Sequence, residues 1–117
     1  LQDNNITIYG DGSQTRSFSY VEDTVDGIIS LMQSNEYDVF NIGNPNEITV
    51  LELAQKIIEL TNSKSEIVFK SLPSDDPKQR KPDISKAKSK LGWEPKVNLE
   101  DGLIKTIDWV EYKLTTE

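Results

Sequence analysis

Apolar positions along the chain recur with periods that change from segment to segment, and the helical ones stand out first. Val21, Val25, Ile28, Ile29 and Met32 are spaced three or four apart, which predicts a helix of roughly three turns ending near Ser34. Gly27 inside it costs about 1 kcal/mol relative to alanine, so a closely packed neighbour is expected there. Thr49 followed by Glu52 forms a capping box, and Val50, Leu53, Ala54, Ile57 and Ile58 make the apolar stripe of the helix it opens. Asp83 can cap a shorter helix through Ile84, Ala87 and Leu91. Gly92 is placed to stop that helix, Trp93 to pack back on its last turn, and Glu94-Pro95 to prevent continuation. A last helix begins at Asn98, carries Glu100 and Asp101 where the helix dipole favours anions, and shows Leu99, Leu103, Ile107, Val110 and Leu114 as a stripe.

Shorter runs read as strands. Ile6-Thr7-Ile8-Tyr9 and Ser17-Phe18-Ser19-Tyr20 alternate apolar with polar residues around a Gly-Asp-Gly break, which predicts a hairpin-like pair with Arg16 near the exit of its loop. Val39-Phe40-Asn41-Ile42-Gly43 reads as a buried strand ended by Gly43-Asn44-Pro45-Asn46. Glu66-Ile67-Val68-Phe69-Lys70 is another, so a βαβ unit is expected from residue 39 onward. Residues 71–83 hold prolines without periodicity and form a long loop, a kind of segment that often carries function. The fold class is therefore α/β, with short strands and about four helices.

Composition narrows the function classes. At 117 residues the chain fits one domain with a real core, and no repeat or low-complexity tract divides it. A net charge of −7 argues against nonspecific partnership with nucleic acid or an anionic membrane surface. No stretch approaches the roughly 18 apolar residues of a membrane span, and residues 1–5 lack the basic start and apolar run of a signal peptide; the expected location is the cytoplasm. With no cysteine there are no disulfides or thiolate nucleophiles, and with no histidine the commonest metal ligand and general base is missing. Proton chemistry would fall to Asp, Glu, Lys or Tyr, and no metal site is expected.

Against that acidic background two arginine segments are conspicuous: Tyr9-Gly10-Asp11-Gly12-Ser13-Gln14-Thr15-Arg16-Ser17-Phe18, and Asp75-Asp76-Pro77-Lys78-Gln79-Arg80-Lys81-Pro82-Asp83. A planar guanidinium matches phosphate oxygens in a bidentate way that an ammonium does not, so the pair reads as a clamp for a diphosphate. Taken singly, each segment also reads as a turn and a solvated charge run.

The order and spelling of six pieces carry the argument further. Ile8-Tyr9-Gly10-Asp11-Gly12, Thr15-Arg16-Ser17-Phe18, Tyr20-Val21-Glu22-Asp23, Phe40-Asn41-Ile42-Gly43, Asp76-Pro77-Lys78-Gln79-Arg80-Lys81-Pro82-Asp83 and Leu91-Gly92-Trp93-Glu94-Pro95 together resemble the C-terminal part of the extended short-chain dehydrogenase/reductase family, the NAD-dependent epimerases and dehydratases. Within that family the likeness is greatest to the UDP-glucuronic acid decarboxylases, which make UDP-xylose. It rests mainly on residues 14–18 and 75–83.

The resemblance implies that Arg16 and Arg80 contact the diphosphate of a UDP-sugar, that Asp83 contacts the ribose, and that Tyr9 lies beside the nucleoside; Gln14 joins the substrate-binding set. Asp83 serves equally as a helix N-cap, and Tyr9 as a strand-end packing residue. The family's Gly-rich dinucleotide loop and Tyr-x-x-x-Lys pair have no counterpart among these residues, since Gly10 and Gly12 sit in a loop too short for that fingerprint. The expectation is a nucleotide-sugar-binding C-terminal portion, residues 1–117, of a longer protein whose Rossmann half binds NAD. The chain itself would then carry no catalytic residue and bind no cofactor. Apolar helix stripes and the strand at 39–42 would be left exposed, favouring self-association. Two alternatives stand beside it: part of a dTDP-glucose 4,6-dehydratase or UDP-sugar 4-epimerase, and a stand-alone binding module without catalysis.

Overall fold

The computed structural model describes every residue except Asp76 and Glu117, so Asp76 of the second arginine segment lies outside the described residues. The elements run β1 (Ile6–Tyr9), β2 (Thr15–Ser17), α1 (Val21–Met32), β3 (Glu47–Thr49), α2 (Val50–Thr61), β4 (Ile67–Lys70), α3 (Ser85–Leu91) and α4 (Leu99–Thr116). Among the described residues, four helices with short strands make the α/β class read from the sequence. The chain divides into two compact units, one of Leu1–Arg16, Ile48–Arg80 and Leu103–Glu117, the other of Ser17–Glu47 and Lys81–Gly102. Each unit is assembled from separate stretches, so no linear boundary with its own composition exists for sequence reading to find.

In the first unit β1 pairs in parallel with β4, Ile6 opposite Ile67 and Tyr9 opposite Lys70. Main-chain bonds from Ile6 to Glu66 and from Gly10 to Lys70, at 2.8 and 2.7 Å, extend the ladder beyond both ends. Ile8 points into the core and is 2% exposed. The capping box at α2 forms as expected, with the Glu52 amide donating to Thr49 Oγ1 at 3.1 Å and the Thr49 hydroxyl donating to Glu52 Oε1 at 2.8 Å. The stripes of α2 and α4 meet in an apolar groove of about 470 Å³ lined by Ile57, Ile58, Leu103, Ile107, Val110 and Leu114, among others.

The hairpin expected from residues 6–9 and 17–20 does not form. β1 takes β4 as its partner, and β2 covers Thr15–Ser17 and pairs with β3. The reason lies in the turn between them. Its carbonyls at Gly12 and Gln14 accept from the Leu51 and Val50 amides at 3.1 and 3.0 Å, the groups that the first turn of a helix leaves without an intrahelical acceptor. The turn therefore caps α2 while β1 continues onto β4.

The second unit holds α1 and α3 around Ile84, Ala87 and Trp93, with Phe40, Ile42 and Leu91 packed against them. Trp93 Nε1 donates to the Asp23 carbonyl at 3.1 Å, and the Val97 amide donates to Asp23 Oδ2 at 3.0 Å, which satisfies a carboxylate buried in α1. Gly27 meets the close neighbour its cost implied: a Cβ there would stand 2.6 Å from Ile42 Cγ2 and 3.1 Å from Trp93 Cε2. α3 stops as anticipated, with Gly92 left-handed at φ 64° and the Trp93 amide returning to the Ala87 carbonyl.

The strand expected at 39–43 is absent; the segment is irregular, and with it the expected βαβ unit gives way to the β1–β4 pair. Its apolar residues do go inward at Phe40 and Ile42, but its main chain is served by side chains. Lys86 Nζ donates to the Val39 carbonyl and to Asp38, and lies 5.0 Å from the centre of the Phe40 ring. α1 has the predicted length with an inverted burial: Asp23 and Gly27 face the unit's core, while Val21, Val25, Ile28, Ile29 and Met32 are 43% to 78% exposed.

Candidate functional site

Four of the five residues expected to bind substrate fall in the first unit, where the 9–16 turn and the 71–80 loop are joined. The Thr15 amide donates to the Lys78 carbonyl at 2.8 Å, fastening the strand of Arg16 to the loop of Arg80. Arg80 lies two positions after Lys78, at most about 7 Å of chain. Arg16 is half-buried, and its Nη1 donates to its neighbour's carbonyl, Thr15 O, at 2.7 Å. That bond uses one edge of the guanidinium to hold it against the strand. Arg80 is exposed, as are Lys78 and Gln79 beside it.

Tyr9 ends β1 with half of its surface exposed. Gln14 is buried, and its Nε2 donates to the Tyr9 carbonyl at 2.9 Å, so its amide closes the turn from the inside. Asp11 at the tip accepts from the amide and hydroxyl of Ser13. The Ser13 hydroxyl first, then its amide, hold the Asp11 carboxyl below the usual aspartate range, with Lys78 adding a smaller pull. Lys78 thus reaches the same turn through its charge as well as its carbonyl.

Asp83 belongs to the second unit. Its Oδ1 accepts from the Ser85 amide at 2.9 Å, doing the capping that Ile84, the residue at the N-cap of α3, cannot do. Its carbonyl accepts from Asn41 Nδ2 at 3.2 Å. The helix-capping role weighed for Asp83 is thus realised in the fold. Pro45, Lys81, Pro82, Ser85 and Lys88 line a shallow pocket of about 340 Å³ with it.

Hydrogen bonds from the Ser85 hydroxyl, then the Ser85 amide, lower the pKa of Asp83 in the folded chain. A depressed carboxyl contributes stability above its unfolded pKa and loses it as pH falls through the folded value. The start of α3 is therefore expected to loosen only on the acid side of the ordinary aspartate range. In an NMR pH titration the Ser85 amide shift should follow that transition, and Asp83→Asn should abolish it; an unchanged profile in the variant would assign it to another group.

Two features leave no local signal in the sequence. Asp23 belongs to the Tyr20–Asp23 piece, and its partners lie 70 and 74 residues away, out of reach of local pattern. The Lys78 carbonyl that joins the arginine segments is a main-chain group, which residue identity does not reveal.

The glycines of the turn do not make a dinucleotide loop. Gly12 has φ 79°, but a Cβ there would stand 2.8 Å from Leu51 Cβ, so its open side is filled by α2. β1 leads through this turn into a strand, whereas a pyrophosphate cradle needs a helix N-terminus there. Among the described residues no helix is long and apolar enough to cross a membrane.

The family model for GDP-mannose 4,6 dehydratase matches residues 1–106. UDP-glucuronic acid decarboxylase 1 of Danio rerio is 54% identical over 114 residues, which is 97% of this chain and 27% of that protein. The chain thus spans about a quarter of the length of that relative. Among solved structures, UDP-glucose 4-epimerase from Thermotoga maritima, determined with UDP-glucose, matches with a TM-score of 0.89 and 38% identity over 94% of this chain and 36% of its own. UDP-glucuronic acid 4-epimerase from Bacillus cereus, in complex with UDP-glucuronic acid and NAD, matches at 0.88 and 30% identity over 96% and 37%.

Proposed function

The chain belongs to the GDP-mannose 4,6 dehydratase family, and from that premise we propose that it is the nucleotide-sugar-binding portion of an NAD-dependent UDP-glucuronate decarboxylase, which converts UDP-glucuronate to UDP-xylose. The observation that carries the reading is the Thr15–Lys78 bond, which sets the strand of Arg16 beside the loop of Arg80. Two guanidiniums on adjoining segments can neutralise a diphosphate from two sides. Tyr9 lies against the nucleoside in this reading, Gln14 closes the turn that leads to Arg16, and Asp83 accepts from the ribose hydroxyls while it caps α3.

NAD and the catalytic groups belong to the remainder of the whole protein, and no step through the cofactor is assigned to residues 1–117. Leu51, which fills the open side of Gly12, supports that assignment. The exposed apolar face of α1 supports packing against further chain, and self-association through that face is expected when residues 1–117 stand alone. An acidic chain without cysteine suits a soluble enzyme of the reducing cytoplasm.

The epimerase structures favour a second reading, a portion of a UDP-sugar 4-epimerase. The full-length protein incubated with UDP-glucuronate and NAD separates the two. Release of carbon dioxide with formation of a UDP-pentose is the expected result. An epimeric UDP-uronate without carbon dioxide would replace the decarboxylase reading with the epimerase one, and UDP-sugar binding without turnover would leave a binding module.

A further inference from the structure

Gln14 precedes the strand of Arg16, yet it is only 8% exposed and so has almost no surface to offer a ligand. Its amide spans the turn instead, from the start of β2 back to the Tyr9 carbonyl that ends β1. The turn needs such a restraint. Gly10 and Gly12 both stand at positive φ, 82° and 79°, and glycine has more conformational freedom to lose there than any other residue.

The consequence is transmitted through one residue. The Gln14 carbonyl is fixed by the Val50 amide, and the next peptide belongs to Thr15. Both main-chain groups of Thr15 serve the arginines: its N–H holds the Lys78 carbonyl two residues before Arg80, and its carbonyl accepts from Arg16 Nη1. Resting on the diphosphate reading above, we infer that Gln14 is a positioning residue, which sets Thr15 and through it the guanidinium of Arg16 without touching the nucleotide. It takes no part in recognition of the base or ribose.

A double-mutant cycle in the full-length protein tests this, with UDP and uridine as the probes in calorimetric titration. Gln14→Met keeps the bulk and removes the N–H donor. It is expected to weaken UDP about fivefold to tenfold when Arg16 is present, the range of one lost hydrogen bond. In an Arg16→Ala background the same change should cost less than about twofold, because coupled residues are non-additive. Uridine affinity should be unchanged throughout. A general loss of stability lowers the melting temperature without producing that coupling.

Equal losses in both backgrounds, or a loss for uridine, would overturn the positioning role and return Gln14 to direct contact. If Arg16→Ala itself leaves UDP affinity unchanged, the clamp falls and the inference with it, an outcome distinct from the additive one. Should Gln14→Met not fold, Gln14→Asn, which keeps the amide and shortens its reach, enters the same cycle with the same expected coupling.

Discussion

Trp93→Ala is expected to destabilise the chain by about 3–5 kcal/mol, the range for deleting a buried aromatic side chain. Trp93 is 6% exposed and packs with Ile84 and Ala87 at the centre of the second unit. Trp93 makes three separate contributions, and the variant loses two of them. The indole fills the space beside Gly27, its N–H satisfies the Asp23 carbonyl, and its own amide closes α3 onto the Ala87 carbonyl. The last of these survives in the variant, while the first leaves a cavity and the second leaves a carbonyl in α1 without that donor. Trp93→Phe restores much of the volume without the N–H and should recover more than half of the loss. Denaturant unfolding of the full-length protein measures both; a Trp93→Ala loss below about 1 kcal/mol would mean that the cluster is not the core of that unit.

The helices were legible because their signals are local. The Thr49–Glu52 box, the Asn98 side chain that receives the Asp101 amide at 2.8 Å, and the left-handed Gly92 each act within a few residues. Strand pairing was not legible, because the partner of β1 lies far along the chain, Ile6 opposite Ile67. Ile6–Tyr9 reads equally well in a hairpin or a parallel ladder; the choice is made by the Val50 and Leu51 amides, which claim the turn's carbonyls. Val39–Gly43 has strand-forming residues, and a strand also needs a partner edge, which its described neighbours do not supply. The helix stripe of α1 was periodic as read, but period alone does not say which face is inward: a buried carboxylate at Asp23 and a glycine at 27 take the core side.

The candidate site was legible as residue types and not as geometry. Arginine beside turn residues identified Arg16 and Arg80, whereas the link between their segments runs through the Thr15 amide and the Lys78 carbonyl. Asp83 carried two readings, and the capping one is visible in its bond to Ser85. The place of Gln14 in its motif suggests a substrate contact. Its burial and its bond to Tyr9 O give it the structural work of the turn.

Arg16→Ala and Arg80→Ala are each expected to weaken UDP binding by about 1.5–3 kcal/mol, the worth of a hydrogen bond to a charged group. Arg16 is held to its strand through Thr15 O, so little side-chain freedom remains to be lost when phosphate arrives. Arg80 is exposed, so water screens its charge more, which places its effect toward the lower end of the range. Arg16→Lys keeps the charge without the planar fork and should recover only part of the affinity. Salt should weaken UDP binding to the native protein more than to either variant, since the lost interactions are those that ions screen.

Calorimetric titration of the full-length protein and its two alanine variants with UDP, and in parallel with uridine, tests the clamp most directly. The account predicts that both variants lose UDP affinity by about tenfold or more while uridine binds all three proteins equally. UDP affinity unchanged in both variants would contradict it.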